Sequence, residues 1–241
     1  MKTTDWFTSW FDTPYYHTLY KHRNDADAQF FMRNITSFLN LPKSSHIADI
    51  PCGKGRHSVY LNSLEYKVTG GDLSNNSIKY AKQFENESLR FEVWDMRNPL
   101  EQKYHAIFNL FTSFGYFEDD KEDITILKSF KNGLKENGVV VLDFLNVEKV
   151  KNNLVKEEIK TIDGIEFFIK REIKDGFILK HISFIADNQK HSYTEQVKFL
   201  TLDKMQTYFK EAGLKIKHVF GDYSLSTFDK NTSDRLILIG E

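Results

Sequence analysis

The chain has 241 residues, 28% charged and 40% apolar, with 33 Lys and Arg against 34 Asp and Glu. That balance excludes a disordered chain and gives no general field favouring a polyanion, so no nucleic-acid partner is expected. No apolar run is long enough to span a bilayer, the start Met1-Lys2-Thr3-Thr4-Asp5-Trp6 holds no apolar leader core, and Cys52 is the single cysteine, so a cytoplasmic protein without an internal disulfide is expected.

The segment from Trp6 to His17 is densely aromatic and broken by Pro14. From about residue 25 to 40, Phe31, Ile35, Phe38 and Leu39 recur at helical spacing, and Leu41-Pro42 stops that helix. Strands are then predicted near 47–50, 67–71, 89–94, 105–110 and 138–145, with helices near 56–64, 75–86 and 120–135. Such alternation predicts an α/β fold with a parallel sheet and helices on both faces. After a short helix near 147–153 the pattern changes. Asp163-Gly164, Asp175-Gly176 and Asp187-Asn188 each separate runs rich in β-branched and aromatic residues. Asp-Gly between such runs marks a tight hairpin, so 156–200 reads as an antiparallel sheet inserted after the fifth strand. A helix near 202–212, closed by Gly213, and strands near 214–220 and 234–240 complete the main sheet.

The chemistry concentrates in Asp49-Ile50-Pro51-Cys52-Gly53-Lys54-Gly55-Arg56-His57-Ser58, where a strand runs through a glycine turn into a helix. Glycines there let backbone N–H groups approach a ligand closely. Asp72 ends the second strand, where a carboxylate can accept both hydroxyl protons of a ribose. Asp95-Met96 ends the third, where the pair can meet an adenine amino group and cover the ring. Ser58 stands where a dinucleotide fingerprint has its third glycine or alanine, which disfavours a nicotinamide cofactor.

The Asp-x-x-Cys-Gly-x-Gly-Arg-His form resembles motif I of class I S-adenosylmethionine (SAM)-dependent methyltransferases, and Asp72 and Asp95-Met96 match the next two motifs. The resemblance spans roughly 47 to 146 and implies a Rossmann-like sheet, mostly parallel with an antiparallel last strand. It implies that Asp49, Gly53 and Gly55, beside Pro51 and Cys52, hold the amino-acid end of SAM. Asp72 takes the ribose, and Asp95, Met96 and Leu73 surround the adenine. Asn109 and Leu110 match motif IV, but the Asp/Asn-Pro-Pro-Tyr form of amino-group methyltransferases is missing. Phe114, Tyr116 and Phe117 are candidate substrate walls. By likeness to glycine and amino-sugar N-methyltransferases, an N-terminal segment closes over the cofactor, with Tyr15, Tyr20 and Arg23 reaching it. On the inserted sheet Tyr193, Glu195, Val197 and Phe199 share a face; if that face covers the site, Tyr193 is a candidate substrate contact, and Tyr15, Tyr193 and Glu195 are the catalytic candidates.

The expected organisation is an N-terminal lid and helix over 1–45, a SAM-binding core over 46–146, a substrate cover over 147–200 and completion of the core over 201–241. The expected activity is methyl transfer from SAM to N or O of a small molecule, leaving S-adenosylhomocysteine, by a monomer or homodimer. An RNA or protein methyltransferase, a noncatalytic SAM-fold module and an NAD(P)-dependent oxidoreductase are the alternatives. Each residue also has a plainer role: Cys52 can simply pack in its turn, Asp72 can cap a helix, and the aromatics can be core. The histidines show no metal-ligand spacing, so no metal is expected.

Overall fold

A computed structural model describes residues 6–21 and 25–241. The N-terminal segment forms two short helices, α1 (Trp6–Trp10) and α2 (Pro14–Leu19), followed by α3 (Asp25–Leu39). Pro14 opens α2 where its missing N–H costs nothing, and the Thr13 hydroxyl accepts from Tyr16 N–H at 3.1 Å.

Strand and helix then alternate: β1 (His46–Asp49), α4 (Arg56–Ser63), β2 (Lys67–Asp72), α5 (Asn75–Ala81), β3 (Leu89–Val93), β4 (Tyr104–Asn109), α6 (Asp120–Asn132) and β5 (Leu134–Leu145). The helix predicted over 75–86 ends at Ala81 and tightens into a 3-10 turn, Lys82–Phe84. The chain there folds back on itself, and Asn86 N–H donates to the Leu89 carbonyl at 3.1 Å to start β3.

After α7 (Val147–Asn152) come β6 (Glu157–Ile162), β7 (Ile165–Lys174), β8 (Phe177–Ala186) and β9 (Gln189–Lys198); α8 (Leu202–Glu211), β10 (Ile216–Phe220) and β11 (Arg235–Gly240) end the chain. The main sheet has the order β10-β11-β5-β4-β1-β2-β3, and β6-β7-β8-β9 is a separate antiparallel sheet. Within the main sheet β11 runs antiparallel to β5, while β1 to β5 are mutually parallel.

One face of the main sheet packs Phe130, Phe144, Tyr208 and Phe209, and the other packs Phe31, Ile35, Leu61 and Phe91. Central strands buried on both sides read as near-continuous apolar runs for that reason. The second sheet has its own core, in which Phe167, Ile169, Ile182 and Phe184 meet Trp10 and Leu19 from α1 and α2. Its three tight turns hold positive φ at both central residues, 51° and 79° at Asp163-Gly164, 50° and 79° at Asp175-Gly176, and 52° and 58° at Asp187-Asn188. Those are the twist-matched turns their sequences foretell. The root of this sheet is tied to the main one: Lys198 N–H donates to the Gly115 carbonyl at 2.7 Å, and its buried ammonium donates to Asp123 at 2.7 Å and Asp120 at 2.9 Å. Among the described residues no helix is long and apolar enough to cross a membrane.

Candidate functional site

A cavity of about 960 Å³ opens at the C-terminal ends of β1, β2 and β4, roofed by α1, α2 and β9. Ligand pockets run from about 300 to 1,000 Å³, so this space lies at the roomy end of that range.

Its floor begins at the turn after β1. Gly53 (φ 55°) lines the cavity, and a Cβ there would meet no protein atom within 4 Å, so a ligand can approach closely on that side. Gly55 (φ 84°) faces inward instead, where a Cβ would lie 2.6 Å from the Phe91 ring. It also opens α4 without a side-chain cap, leaving the helix's first N–H groups and their partial positive charge beside the turn. Behind the turn, Asp49 is buried and accepts from the Ser58 hydroxyl at 2.6 Å, while its Oδ1 has no partner. Burial raises its pKa to about 7, partly offset by the Ser58 hydrogen bond.

Asp72, at the end of β2, faces the cavity. Its Oδ2 accepts from Gly53 N–H and its Oδ1 from Ser74 N–H, both at 2.8 Å. Burial pushes its pKa up and these two backbone donors pull it back. Leu73, Trp94, Asp95 and Met96 continue the lining. Asp95 is gripped by Arg97, Nε to Oδ1 at 3.0 Å and Nη2 to Oδ2 at 2.7 Å. Burial acts to raise its pKa, but the Arg97 hydrogen bonds prevail and hold it below the usual range.

At the end of β4 the backbone is strained. Phe111 and Thr112 adopt φ 57° and 63° in succession, at roughly 1–2 kcal/mol for each non-glycine residue. Asp143 of β5, fully buried, accepts from Phe111 N–H at 2.8 Å and from Arg235 Nε at 2.7 Å. The Phe111 ring stacks on His57 at 4.7 Å and 10°. Asn109 lies behind this loop, its amide donating to the Ile50 carbonyl at 2.9 Å and the Ser113 carbonyl at 3.2 Å.

The roof is aromatic and carries two acids, Glu195 and Asp12. Glu195 lines the cavity and accepts from Trp10 Nε1 at 2.7 Å and from the Tyr20 hydroxyl at 2.6 Å, with Lys180 Nζ 3.6 Å away. Trp6, Phe11, Tyr16, Tyr116, Phe117 and Val197 supply the walls. Asp12 latches the roof to the floor by accepting from the Ser74 hydroxyl and, at 2.7 Å, from the Asn76 amide.

Of the residues singled out in the sequence, Pro51, Cys52, Gly53, Asp72, Leu73, Asp95, Met96, Leu110, Tyr20, Tyr116, Phe117 and Glu195 line this one cavity. Asp49, Gly55 and Asn109 lie behind it and set the turns. Three do not reach it. Tyr15 packs against the core of the second sheet beside Phe184 and His191 and donates to Asp187 at 2.8 Å. Phe114 is fully buried in the core, and Tyr193 stacks on Trp10 at 4.4 Å. Arg23 lies outside the described residues. Lining residues that the sequence reading passed over include Trp6, Phe11, His17, Thr112 and Arg235. The aromatic density before Pro14 was the available signal for the first two; nothing local marks Arg235. His17 is held neutral, its pKa lowered to about 4 by burial and by nearby Lys54. Among the described residues no cluster of His, Cys, Asp and Glu has metal-binding geometry.

A family described as a methyltransferase domain matches residues 41–213. The dTDP-3-amino-3,4,6-trideoxy-alpha-D-glucopyranose N,N-dimethyltransferase of Streptomyces venezuelae is 23% identical over 75% of this chain and 79% of its own. A putative methyltransferase of Bacillus subtilis (strain 168) is 24% identical over 82% of this chain and 84% of its own. In fold, the chain resembles an S-adenosylmethionine-dependent methyltransferase from Clostridium acetobutylicum ATCC 824, with a TM-score of 0.80 at 20% identity over 94% of this chain and 95% of that one.

Proposed function

The chain belongs to the methyltransferase-domain family and is a class I SAM-dependent methyltransferase, and on that premise we propose that its cavity holds SAM on the floor and a small-molecule acceptor under the roof. When bound, SAM would supply an electrophilic methyl group: a lone pair on N or O of the acceptor would bond to that carbon as its bond to sulfur breaks, S-adenosylhomocysteine leaving and the acceptor's proton passing to Glu195 or water. The residues of the chain bind, orient and exclude water. In such a reaction alignment alone can contribute on the order of 7–11 kcal/mol, so no protein nucleophile is required.

The fit is one of donor and acceptor types. The uncapped start of α4 suits a carboxylate, the open space beside Gly53 lets it approach, and the unpartnered Oδ1 of Asp49 behind them suits a nearby ammonium. Asp72, oriented by two backbone N–H groups, takes ribose hydroxyls, and Asp95, Met96 and Leu73 take the adenine. Glu195, Tyr20, Tyr116, Phe117 and Val197 face the acceptor, with Glu195 the group able to hold a polar or cationic acceptor or receive its proton. The cover over 147–200 and the N-terminal helices act together as the lid. The acceptor class agrees with the amino-sugar relative. Cytoplasmic residence, as a monomer or homodimer, completes the reading.

The observation that carries it is the convergence of Gly53, Asp72 and Met96 on the lining of one cavity. Calorimetry with SAM, S-adenosylhomocysteine and NADH on wild type and Asp72→Ala tests it. Hydrogen bonds to a charged group are worth about 1.5–3 kcal/mol, so Asp72→Ala should weaken SAM roughly 10- to 100-fold. Wild type that ignores SAM, or Asp72→Ala that binds it unchanged, would overturn the reading.

A further inference from the structure

Two successive left-handed residues, one of them branched at Cβ, persist only where the surroundings over-determine them. Four hydrogen bonds do so at Phe111 and Thr112. Phe111 N–H donates to Asp143 Oδ2 at 2.8 Å, and Thr112 N–H donates to the Asp143 carbonyl at 2.9 Å. Arg235 Nη2 donates to Thr112 Oγ1 at 3.0 Å, and the Tyr116 hydroxyl donates to the Thr112 carbonyl at 2.7 Å. Arg235 opens β11 while Asp143 lies on β5, and the guanidinium joins the two strands to the turn through Nε on Asp143 Oδ1 at 2.7 Å.

A glycine turn would reach the same backbone angles without strain, yet it would also sample others. A turn of Phe and Thr braced by the Asp143–Arg235 ion pair is held to one geometry. Its position matters: Phe111 stacks on His57 of the helix that follows the glycine turn, while Thr112 and Ser113 stay on the cavity lining with Tyr116.

We propose that Asp143 and Arg235 are positioning residues for methyl transfer, holding the Phe111–Thr112 turn as a fixed wall between the donor and acceptor halves of the cavity. This rests on the methyltransferase reading above. Neither side chain needs to touch the reacting atoms. Arg235 acts through the Thr112 hydroxyl, and Asp143 acts through the Phe111 amide and through Arg235.

SAM labelled with carbon-13 at its methyl group tests this without an acceptor. Wild type should give one narrow bound methyl resonance, displaced from that of free SAM. Thr112→Ala and Arg235→Lys should keep SAM affinity within about threefold by calorimetry, while the methyl resonance broadens, splits or moves back towards the free position. Thr112→Ser, which keeps the hydroxyl, should restore the wild-type signal. The Thr112 pair keeps the test decisive if Arg235→Lys or Asp143→Asn fails to fold. A wild-type methyl signal in Thr112→Ala, or equal shifts in Thr112→Ala and Thr112→Ser, would overturn the positioning role and leave the methyltransferase reading standing. Absence of any bound resonance in wild type would remove that reading itself.

Discussion

On the floor, Asp72 is fixed by the backbone N–H groups of Gly53 and Ser74, 19 and 2 residues away; on the roof, Glu195 is fixed by the Trp10 indole and the Tyr20 phenol, 185 and 175 residues away. A ligand held by backbone at strand ends depends on where the chain turns, and turning points are dictated locally by glycine and by strand length. A ligand held by side chains from two remote segments depends on packing that exists only once both have docked. The same cavity therefore joins a floor with short-range determinants to a roof with long-range ones.

The largest test of that division is Trp10→Ala. Removing a buried Trp costs about 3–5 kcal/mol, and the loss should fall on the roof alone. Hydrogen exchange should quicken in β8 and β9 while β1, β4 and β5 stay protected; equal loss of protection in both sheets would mean the halves are one cooperative unit. Next comes Gly55→Ala, which adds a strained positive φ to a 2.6 Å contact with Phe91. Together these cost roughly 2–4 kcal/mol, read as a Tm lowered by about 5–15 °C. A Tm within a degree of wild type would show that the turn tolerates a side chain.

Asp49 ties the floor to pH. Its pKa in the folded chain is raised to about 7 by burial. Between the ordinary carboxylate range and that value the folded chain retains a proton that the unfolded chain has released, so stability falls as pH rises through this window. Asp49→Asn should flatten that slope in denaturant melts. A cationic ligand group beside Asp49 favours its ionised form, so SAM should bind with release of a proton. Affinity should then drop by up to about tenfold for each pH unit below 7 in wild type and not in Asp49→Asn. Calorimetry in buffers of different ionisation enthalpy reads the proton directly. The smallest expected effect on SAM is at the roof: Glu195→Gln should change its affinity by less than about twofold while acceptor methylation falls severalfold. A large loss of SAM binding in this variant would place the acid in the donor half and erase the distinction between floor and roof.

What could be read in the sequence follows the same line. The Asp49-to-Ser58 turn, Asp72 and Met96 were legible because each is a residue type at a predicted strand end. The three hairpins were legible because their turns need positive φ at two adjacent positions, and Asp-Gly and Asp-Asn tolerate it. Tyr15 and Tyr193 were misjudged since a two-residue or helical period fixes a face but not what covers it. One packs on the core of the second sheet beside Phe184, and the other stacks on Trp10. Arg235 and Asp143 were invisible. Their meeting is a product of β11 pairing antiparallel with β5, and no local pattern encodes that Arg235 reaches a strained turn 123 residues earlier in the chain.

The docking of α1 and α2 onto the second sheet also bears on how the chain comes off the ribosome. Trp10 and Leu19 are synthesised long before Phe167, Ile182 and Phe184, the residues that bury them. Contacts of such sequence separation form late, since loop closure must precede them. During synthesis the aromatic segment thus waits exposed while the parallel strands collapse behind it, and transiently exposed apolar surface invites aggregation or chaperone capture. Expression yield, alongside equilibrium stability, is a property that changes to Trp6, Trp10 and Phe11 should move.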